Sequence, residues 1–588
     1  MKQHYHLSTP AALLILYLFS LNFLSLLSLQ AQPDIAAPKW EVRAVWLTTA
    51  GGADWPKTYD VTAQKKSLVE IFENLQKKNF NTVFFQVRSR GNTFYKSQYE
   101  PWAAELTGTL GQDPGWDPLE FAIEEAHKRG MEIHAWFNVA KVYNSGQPPL
   151  SSPPHILRSH PEWAQLYDGE WWVDMGRPEV RQYTENLVME LVRLYDLDGI
   201  HFDYLRYPGE KFDDWNTFRS YGDGAERDEW RRNNITLFVR EMYKQIINEK
   251  PMMKVGSAPL GIYKPIPGAE SGFSGYAELY QDARLWLQEK IQDYVAPQLY
   301  WDFGEQINPN DPDFRALCID WSKNNFGRDV YAGLGVYREN IQKEITEQIY
   351  LTRTAECRGQ SFFRYENILD LPGIGVAYKY PALIPPMPWK DSIPPLPPTE
   401  ITATLGSNQT TIIRWKEPAL AADGDNAAQY VVYRSVDENI DIGNPRNIAA
   451  VLPSTSTMYV DEMPSNNIHY YYTVTALDKG HNESTGSSVR YESIKNDHPV
   501  MERYSLAQNY PNPFSDRTYI SYQLGERSLV ELIVKDTSTN KEILIVRETQ
   551  DAGTYIVSLE AKLLARGRYV YQLKAGSFIA TRTLERVE

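Results

Sequence analysis

The chain has 588 residues, with 60 Lys or Arg against 75 Asp or Glu, so its formal net charge is −15. A typical domain of about 150 residues predicts three or four domains. The acidic balance argues against nucleic acid as the main partner, because phosphate binding needs a basic surface. The two cysteines, Cys318 and Cys357, exclude a disulfide framework and a cysteine-built metal site. Because the ten histidines are scattered, we expect neither a metal nor another cofactor.

The N-terminus has the pattern of a secretory signal peptide over residues 1–31. Residues 11–29 are one apolar run behind a head with Lys2, and Ala31 precedes a polar segment that contains proline. The run is also long enough to remain as an anchoring helix. We favour cleavage because of the polar segment that follows. No later run is long enough to span a membrane, so the mature protein is expected outside the cytoplasm without a transmembrane span.

Residues 41–384 are predicted to form one large α/β unit, in which short apolar runs alternate with helical periodicity. The runs are 43–48, 82–87, 132–138, 199–203, 254–259, 294–300, 330–336 and 361–365. Apolar residues recur at helical spacing in 65–78 and 179–195. Eight buried strands alternating with helices predict a closed (β/α)8 TIM barrel. An open doubly wound sheet is the alternative, and the absence of a glycine-rich phosphate loop after the first run weakens it.

Prolines and a loss of tryptophan mark a boundary near residue 385. The proline-dense segment 385–399 is typical of a semi-rigid spacer. Residues 400–495 and 501–588 show strand alternation and turn glycines without helical periodicity. We therefore predict a TIM barrel followed by two small all-β sandwich domains.

Site residues of a TIM barrel lie at the C-terminal ends of its strands. Asp203 ends the fourth run, where burying an ionised carboxylate is costly without a task or a partner, and it is the predicted catalytic residue. The alternative is a structural salt bridge to Arg206 or Arg88. The residues predicted to bind substrate are Arg88, Asn92, Asn138, Asp174, Tyr204, Arg206, Gln298, Tyr300, Trp301 and Tyr337. Aromatic rings beside amide and guanidinium groups suit sugars, although each ring taken singly also fits a role in the core.

Glycoside hydrolysis normally uses two carboxylates that flank the scissile bond. Asp302, at the end of the sixth run, is the predicted partner of Asp203, with a loop-capping role as its alternative. The further candidates for the second carboxylate are Asp54, Glu366, Asp174 and Glu162. The DGxDxDxE pattern of chitinase-like barrels is incomplete here, because residues 198–205 read DGIHFDYL and lack the final acid.

Seven segments carry a resemblance to a known family. They are RAVWLTTAGGADWP, FNTVFFQVRSRGNTFY, DPLEFAIEEAHKRGMEIHAWFN, SHPEW, GRPEVRQY, DGIHFDYLRYP and APQLYW. Over about 41–370 the chain resembles the bacterial glycosyl-hydrolase-like family related to family 10, which includes a peptidoglycan glycosidase that cleaves glycan strands stripped of peptides. The resemblance implies a TIM barrel with glycosidase activity. By position it supports Asp203, Arg88, Asn138, Gln298, Tyr300 and Trp301. The chain departs from the family at Tyr204 and Asn92, where Asp is frequent.

Two further resemblances cover the C-terminal part. Residues 400–495 are similar to a fibronectin type III domain. Residues 501–588, with YSLAQNYPNPFSDRTYISYQL and GRYVYQLKAGSFIATRTLERV, resemble the C-terminal sorting domain of type IX secretion. That resemblance implies the type IX secretion machinery as a partner, with release or tethering at the outer cell surface.

The predicted function is a secreted glycoside hydrolase that cleaves a cell-wall glycan or another polysaccharide. Asp203 would be the nucleophile or key carboxylate, and Asp302 or another rim acid the proton donor. A non-catalytic glycan-binding surface protein is the alternative, motivated by the departures at Asn92 and Tyr204. Adhesion through the β domains is a third interpretation, and it is weaker because the barrel holds most of the chain.

Overall fold

A computed structural model describes residues 37–587 except 271–272, 305–310, 406–409, 463–469, 489, 492–503, 510–511, 540 and 551–552. The chain divides into two units, Met1–Pro38 and Lys39–Glu588, and every helix and strand described belongs to the second. The predicted signal peptide lies outside the described residues. Among the residues that are described, no helix has the length and hydropathy needed to cross a membrane.

Parallel strands close into an eight-stranded barrel, which confirms the predicted fold. They are β1 (Val42–Leu47), β2 (Thr82–Arg88), β3 (Glu132–Asn138), β4 (Gly199–Asp203), β5 (Lys254–Ser257), β6 (Tyr294–Val295), β7 (Asp329–Leu334) and β8 (Gly359–Phe362). Strand β8 pairs with β1, with Val42 beside Gly359, and this pairing closes the ring. The sixth strand is short because Pro297 lacks an N–H, and beyond it only single bridges link Gln298 to Leu260 and Gly333.

Helices surround the barrel, and several begin at a capping aspartate. Asp60 accepts a hydrogen bond from the Ala63 N–H (2.8 Å), and Asp117 accepts one from the Leu119 N–H (3.0 Å), which satisfies N–H groups left free in the first turn. The helices are Val61–Lys77, Ala104–Thr107, Pro118–Lys128, Ile156–Ser159, Pro178–Leu194, Trp215–Tyr221, Arg227–Glu249, Ala283–Gln288, Phe314–Lys323, Glu339–Lys343, Ile345–Thr354, Tyr365–Ile368 and Ile374–Ala377. These caps fix the start of each helix, and so hold the loop that joins the helix to the preceding strand at the C-terminal end of the barrel.

A chain of hydrogen bonds fills the middle of the barrel. The Trp46 indole N–H donates to Nε2 of His201 (3.0 Å), so the His201 Nδ1–H faces the Tyr294 hydroxyl (3.1 Å). The hydroxyl then donates to Nδ1 of His134 (2.8 Å), and Nε2 of His134 meets Glu132 (3.1 Å). Burial lowers the pKa of His201 well below its usual value, in keeping with a neutral ring. The middle of the barrel is thus filled by a packed, hydrogen-bonded core, which leaves the ends of the barrel for an open site.

An excursion after β3 adds a small antiparallel sheet to the C-terminal end of the barrel. Its strands are Lys141–Tyr143, Glu170–Val173 and Ala164–Tyr167. The Ala140 N–H donates to the Tyr204 carbonyl (3.2 Å), and the Val173 N–H donates to the Ala140 carbonyl (2.8 Å). These bonds fix the excursion beside the end of β4, which places Lys141 near Asp203.

The proline-dense segment, which was predicted to be a semi-rigid spacer, packs on the barrel at its start. Met387 is buried, as is Ile384 just before the segment, and the Trp389 indole N–H donates to Asp293 (2.9 Å). The Lys390 ammonium also pairs with Asp293, at 3.0 Å. Proline preorganises the backbone, but the apolar and aromatic residues between the prolines gain burial against the N-terminal end of the barrel.

Beyond this segment, small all-β sheets confirm the predicted sandwich architecture. Between 399 and 491, one sheet has the order Met458–Asp461, Thr411–Lys416, Thr399–Leu405, Arg490–Tyr491, and the other Ile448–Pro453, Gln429–Ser435, Tyr471–Leu477, Ser487–Ser488. The two sheets share one core, in which Ile413 and Trp415 face Tyr430 and Val474. The last sheets are Ser505–Leu506, Arg517–Leu524, Gly553–Glu560 and Glu542–Gln550, Ser528–Asp536, Gly567–Ala575, Phe578–Arg586.

The first β domain inserts a histidine into the N-terminal end of the barrel. Nε2 of His481 lies 2.6 Å from Glu132, which also pairs with Lys254 at 2.6 Å. All three side chains are nearly inaccessible to solvent. The barrel and this domain are therefore joined by a buried polar contact, which is expensive to break because it leaves a carboxylate short of a donor.

Replacing His481 with Ala is expected to lower the free energy of unfolding by about 1.5–3 kcal/mol, the usual cost of losing a buried hydrogen bond to a charged group. Lys479→Ala, two residues away, removes an exposed pair with Asp196 and should cost less than about 1 kcal/mol. Urea unfolding monitored by tryptophan fluorescence measures both. Equal losses for the two variants would contradict the role given to His481.

Candidate active site

A cavity of about 200 Å³ lies at the C-terminal ends of the barrel strands. It is lined by Thr48, Ala50, Gln86, Ser89, Arg90, Trp136, Asn138, Lys141, Asp203, Tyr204, Arg206, Gln298, Tyr300 and Phe363. The lining combines aromatic rings, amides, three cationic side chains and a carboxylate. In a TIM barrel this end is where chemistry is located.

Asp203 supplies the carboxylate of the cavity. Its side chain is held from two directions, because the Tyr204 N–H donates to Oδ1 (2.7 Å) and the Trp136 indole N–H donates to Oδ2 (3.2 Å). Tyr204 has a left-handed backbone with φ of 50°, a strained conformation of the kind found at functional sites. No ion pair involves Asp203 among the described residues. The predicted alternative, a salt bridge to Arg88 or Arg206, is therefore not what the structure shows.

The charge on Asp203 is set by opposing effects. Burial raises the pKa of its carboxyl above the usual value, while Arg206, the two N–H donors and Lys141 act in the opposite direction. Only 6% of the residue is exposed, so a change in what fills the cavity would alter its hydration strongly. A carboxylate with these properties can act as nucleophile, base or acid, depending on the bound group.

Cationic side chains surround this carboxylate. The Lys141 ammonium lies 5.2 Å from the centre of the Tyr204 ring, and the Arg206 guanidinium lies 5.1 Å from it. Arg90 reaches the cavity from the loop after β2. The Lys141 ammonium also forms an ion pair with the Glu170 carboxylate, at 2.5 Å. Burial, and then Asp203, raise the pKa of Tyr204 to about 12, so the phenol stays protonated and can donate a hydrogen bond.

Aromatic rings form another part of the cavity wall. Tyr300 and Phe363 line the cavity with their ring centres 5.7 Å apart. Tyr337 stands edge-on to both, at 6.0 Å from each, and is 52% exposed. It therefore extends the aromatic wall outwards, as a platform on which a sugar ring beyond the cavity can stack.

Half of the residues predicted to form the site line the cavity. They are Asp203, Asn138, Tyr204, Arg206, Gln298 and Tyr300. Arg88 lies beneath it, where its guanidinium makes two bonds of 2.7 Å to Glu100 and is fully buried. Asn92 shapes the loop that carries Ser89 and Arg90, because its side-chain oxygen accepts from both at 3.2 and 3.3 Å. Trp301 packs against the core beside Gly261.

The other predicted acids do not line the cavity. Asp302 accepts hydrogen bonds from the Asn340 side chain and the Gly304 N–H, and so shapes its own loop. Asp174 accepts from Thr217 and Gly176, and burial raises its pKa to about 6. Asp54 joins the loops after β1 and β8 through the Thr48 and Glu366 N–H groups and an ion pair with Arg364. The side chains of Glu366 and Glu162 are half exposed, at 49% and 59%.

Several lining residues are absent from the predicted set. Gln86 and Arg90 stand at the end of the second apolar run, so their position at the rim could be read from the sequence. Gln86 accepts hydrogen bonds from the Thr49 and Ala50 N–H groups, at 3.0 and 2.9 Å, and holds the first loop in place. The sequence did not point to Lys141, because this residue lies beyond the end of its apolar run and reaches the cavity only through the excursion sheet.

Three carboxylates group together away from the cavity. Ligand atoms of Asp391, Asp423 and Asp425 lie within 4.8 Å of one another, outside the cavity lining. Grouped surface acids are common without an ion, and no metal is inferred.

A closed (β/α)8 barrel with a carboxylate among aromatic and cationic groups at its C-terminal end defines a glycosidase-like TIM-barrel protein. The chain belongs to the glycosyl hydrolase-like 10 family, whose model matches residues 41–350.

The similar proteins include curated glycosyl hydrolases. The chain is 32% identical over 483 residues to the glycosyl hydrolase YngK of Bacillus subtilis, covering 76% of this chain and 92% of that protein. It is 34% identical over 290 residues to the glycosyl hydrolase DigH of Escherichia coli K12, covering 45% and 66%. Among solved structures, the glycoside hydrolase domain of PgaB from Bordetella bronchiseptica has a TM-score of 0.41 and 13% identity, covering 59% of this chain and all of that one.

Proposed function

We propose that the protein is a secreted glycoside hydrolase that acts on a cell-wall glycan, with Asp203 as its key carboxylate. The observation that carries the proposal is the position of Asp203 in the cavity. It is oriented by two N–H donors and not paired with a cation in an ion pair. A carboxylate held in this way at the C-terminal end of a barrel strand is poised for the chemistry of glycosidic bonds.

The charge of the cavity favours an anionic glycan. Arg90 and Arg206 line a space that contains Asp203 as its carboxylate among the described lining residues, and Lys141, which also pairs with Glu170, lines it as well. Peptidoglycan strands freed of their peptides carry a free carboxylate on every second sugar, whereas a bound peptide converts that group to an amide. Guanidinium groups bind carboxylates well because their N–H donors match the two oxygens. We infer that peptide-free strands are the preferred substrate.

The direct test is digestion of purified peptidoglycan with and without its peptides, beside a panel of α- and β-glucans. Release of reducing ends from the peptide-free strands, and slower release from the intact polymer, is expected. Cleavage of neutral glucans alone would contradict the proposed substrate, and no product from any glycan would contradict the proposed activity.

Replacing Arg206 with Gln is expected to lower kcat/KM on peptide-free strands by about 10–100-fold, the value of a charge-assisted hydrogen bond of about 1.5–3 kcal/mol. The effect on a neutral substrate of the same length should be much smaller, since no charge is recognised there. Steady-state kinetics of the wild type and the variant on both substrates measure the two changes in kcat/KM. A uniform loss on both would contradict the recognition of charge by this side chain.

A non-catalytic glycan-binding protein is the second candidate. It is favoured by the cavity lining, which contains a single carboxylate among the described residues, whereas hydrolysis normally uses two. Calorimetric binding to glycans from which no product forms would support this candidate over the first.

Export is proposed to follow from the signal peptide over 1–31 and from the sorting domain over 501–588, with the fibronectin type III-like domain over 400–495 between the barrel and the sorting domain. Mass analysis of the protein from the cell surface or medium, with its N-terminus determined, tests this. A mature chain that still begins at Met1 inside the cell would contradict it.

A further inference from the structure

Two thiols face each other on the side of the barrel. The sulfur atoms of Cys318 and Cys357 lie 3.7 Å apart, although the residues are 39 positions apart in the chain. Cys318 is in the helix Phe314–Lys323, and Cys357 is in the turn between the helix Ile345–Thr354 and β8. They are all the cysteines that the chain has. The contact therefore joins two segments that are separate in sequence through the two residues able to form a disulfide.

The surroundings give the two thiols different roles. Cys318 is buried in the core, whereas Cys357 is partly exposed. The turn that holds Cys357 is already attached to the helix of Cys318, because the Ser322 hydroxyl donates to the Ala355 carbonyl. Contact with Cys357, together with burial, raises the pKa of the Cys318 thiol well above its usual value. An oxidant from solvent therefore meets Cys357 first.

We propose that Cys318 and Cys357 form a disulfide when the protein meets an oxidising compartment. The sulfurs have to close from 3.7 Å to the about 2.05 Å of an S–S bond, a shift within reach of a side-chain rotation and a small movement of the turn. Such a bond would tie the helix that follows the β6 loop to the segment that precedes β8. This inference does not depend on the proposed activity, and the oxidising compartment that it needs rests on the proposed export.

The chemistry is a thiol–disulfide exchange with a small or protein disulfide as oxidant. The Cys357 thiolate attacks one sulfur of the oxidant, which forms a mixed disulfide and releases one oxidant thiol. Cys318 loses its proton and attacks the Cys357 sulfur, which forms the internal bond and releases the second oxidant thiol. The two cysteines lose two protons and two electrons, and the oxidant disulfide becomes two thiols.

The test treats the reduced full-length protein with oxidised glutathione and follows intact mass and free thiols. The wild type is expected to lose the mass of two hydrogens and both free thiols, with the peptides of Cys318 and Cys357 linked in a non-reducing digest. A wild type that keeps two free thiols, or that stops at a stable glutathione adduct, would overturn the proposal.

Two single variants test the order of events and guard against misfolding. Cys318→Ser is expected to hold one glutathione on Cys357, because no second thiol can displace it. Cys357→Ser is expected to stay unmodified, since Cys318 is buried. Glutathione added to Cys318 in the folded Cys357→Ser variant, with circular dichroism unchanged, would contradict the geometry on which the exchange depends.

Discussion

Replacing Asp203 with Asn is expected to lower the rate of glycan hydrolysis by about 10²–10⁴-fold, the usual contribution of a group that transfers a proton or charge in the transition state. The amide keeps the volume of the carboxylate, and its single oxygen can still accept the shorter bond, from the Tyr204 N–H, while the longer bond from the Trp136 indole is lost. We therefore expect the variant to fold and to bind glycan, so that the loss falls on kcat. Release of reducing ends under saturating substrate measures it.

Asp302→Asn is the matched control for that variant, because Asp302 was the second predicted acid and does not line the cavity. It should lose stability through its bond with Asn340 before it loses turnover. Full activity of Asp203→Asn, or an equal loss of kcat in both variants at equal stability, would refute the assignment of Asp203.

The pH profile separates the roles open to Asp203. Both of its oxygens accept N–H groups, so we expect it to work as the ionised carboxylate. Its pKa is raised by burial, so kcat/KM should fall as the pH is lowered through a value above that of an ordinary aspartate. A rate that falls instead as the pH rises through that value would assign Asp203 as the proton donor.

Replacing Arg88 with Met is expected to lower the free energy of unfolding by about 3–5 kcal/mol, because it leaves the Glu100 carboxylate buried without its partner. Both side chains are at most 1% exposed, and the two 2.7 Å bonds use the fork of the guanidinium fully. Urea or thermal unfolding of the full chain measures the loss. Arg90→Met is the control, since Arg90 reaches the cavity and should change stability by less than about 0.5 kcal/mol.

A double variant tests whether the stability lost in Arg88→Met comes from the unpaired Glu100 carboxylate. Arg88→Met with Glu100→Leu removes both charges, so it should recover most of the stability that Arg88→Met loses. Arg88→Met that is as stable as the wild type but fails to bind glycan would instead support the sequence interpretation, in which Arg88 binds substrate.

The sequence by itself determined the barrel and the position of its carboxylate. The spacing of eight apolar runs between helical segments depends on local periodicity, and each run corresponds to a strand of the closed sheet. Asp203 is the last residue of its run. In a parallel barrel, residues at the C-terminal ends of the strands all lie at the same end of the barrel. Asn138, Gln298 and Tyr300 reach the cavity for the same reason.

Only the tertiary structure decided which charges are free to face a ligand. Arg88 and Arg206 look alike in the sequence, but a loop brings Glu100 to Arg88, while Arg206 is left beside Tyr204. Lys141 enters the cavity on an excursion sheet, and His481 meets Glu132 from 349 residues away. Ion pairing and burial depend on distances between segments far apart in the chain, and local sequence patterns do not encode those distances.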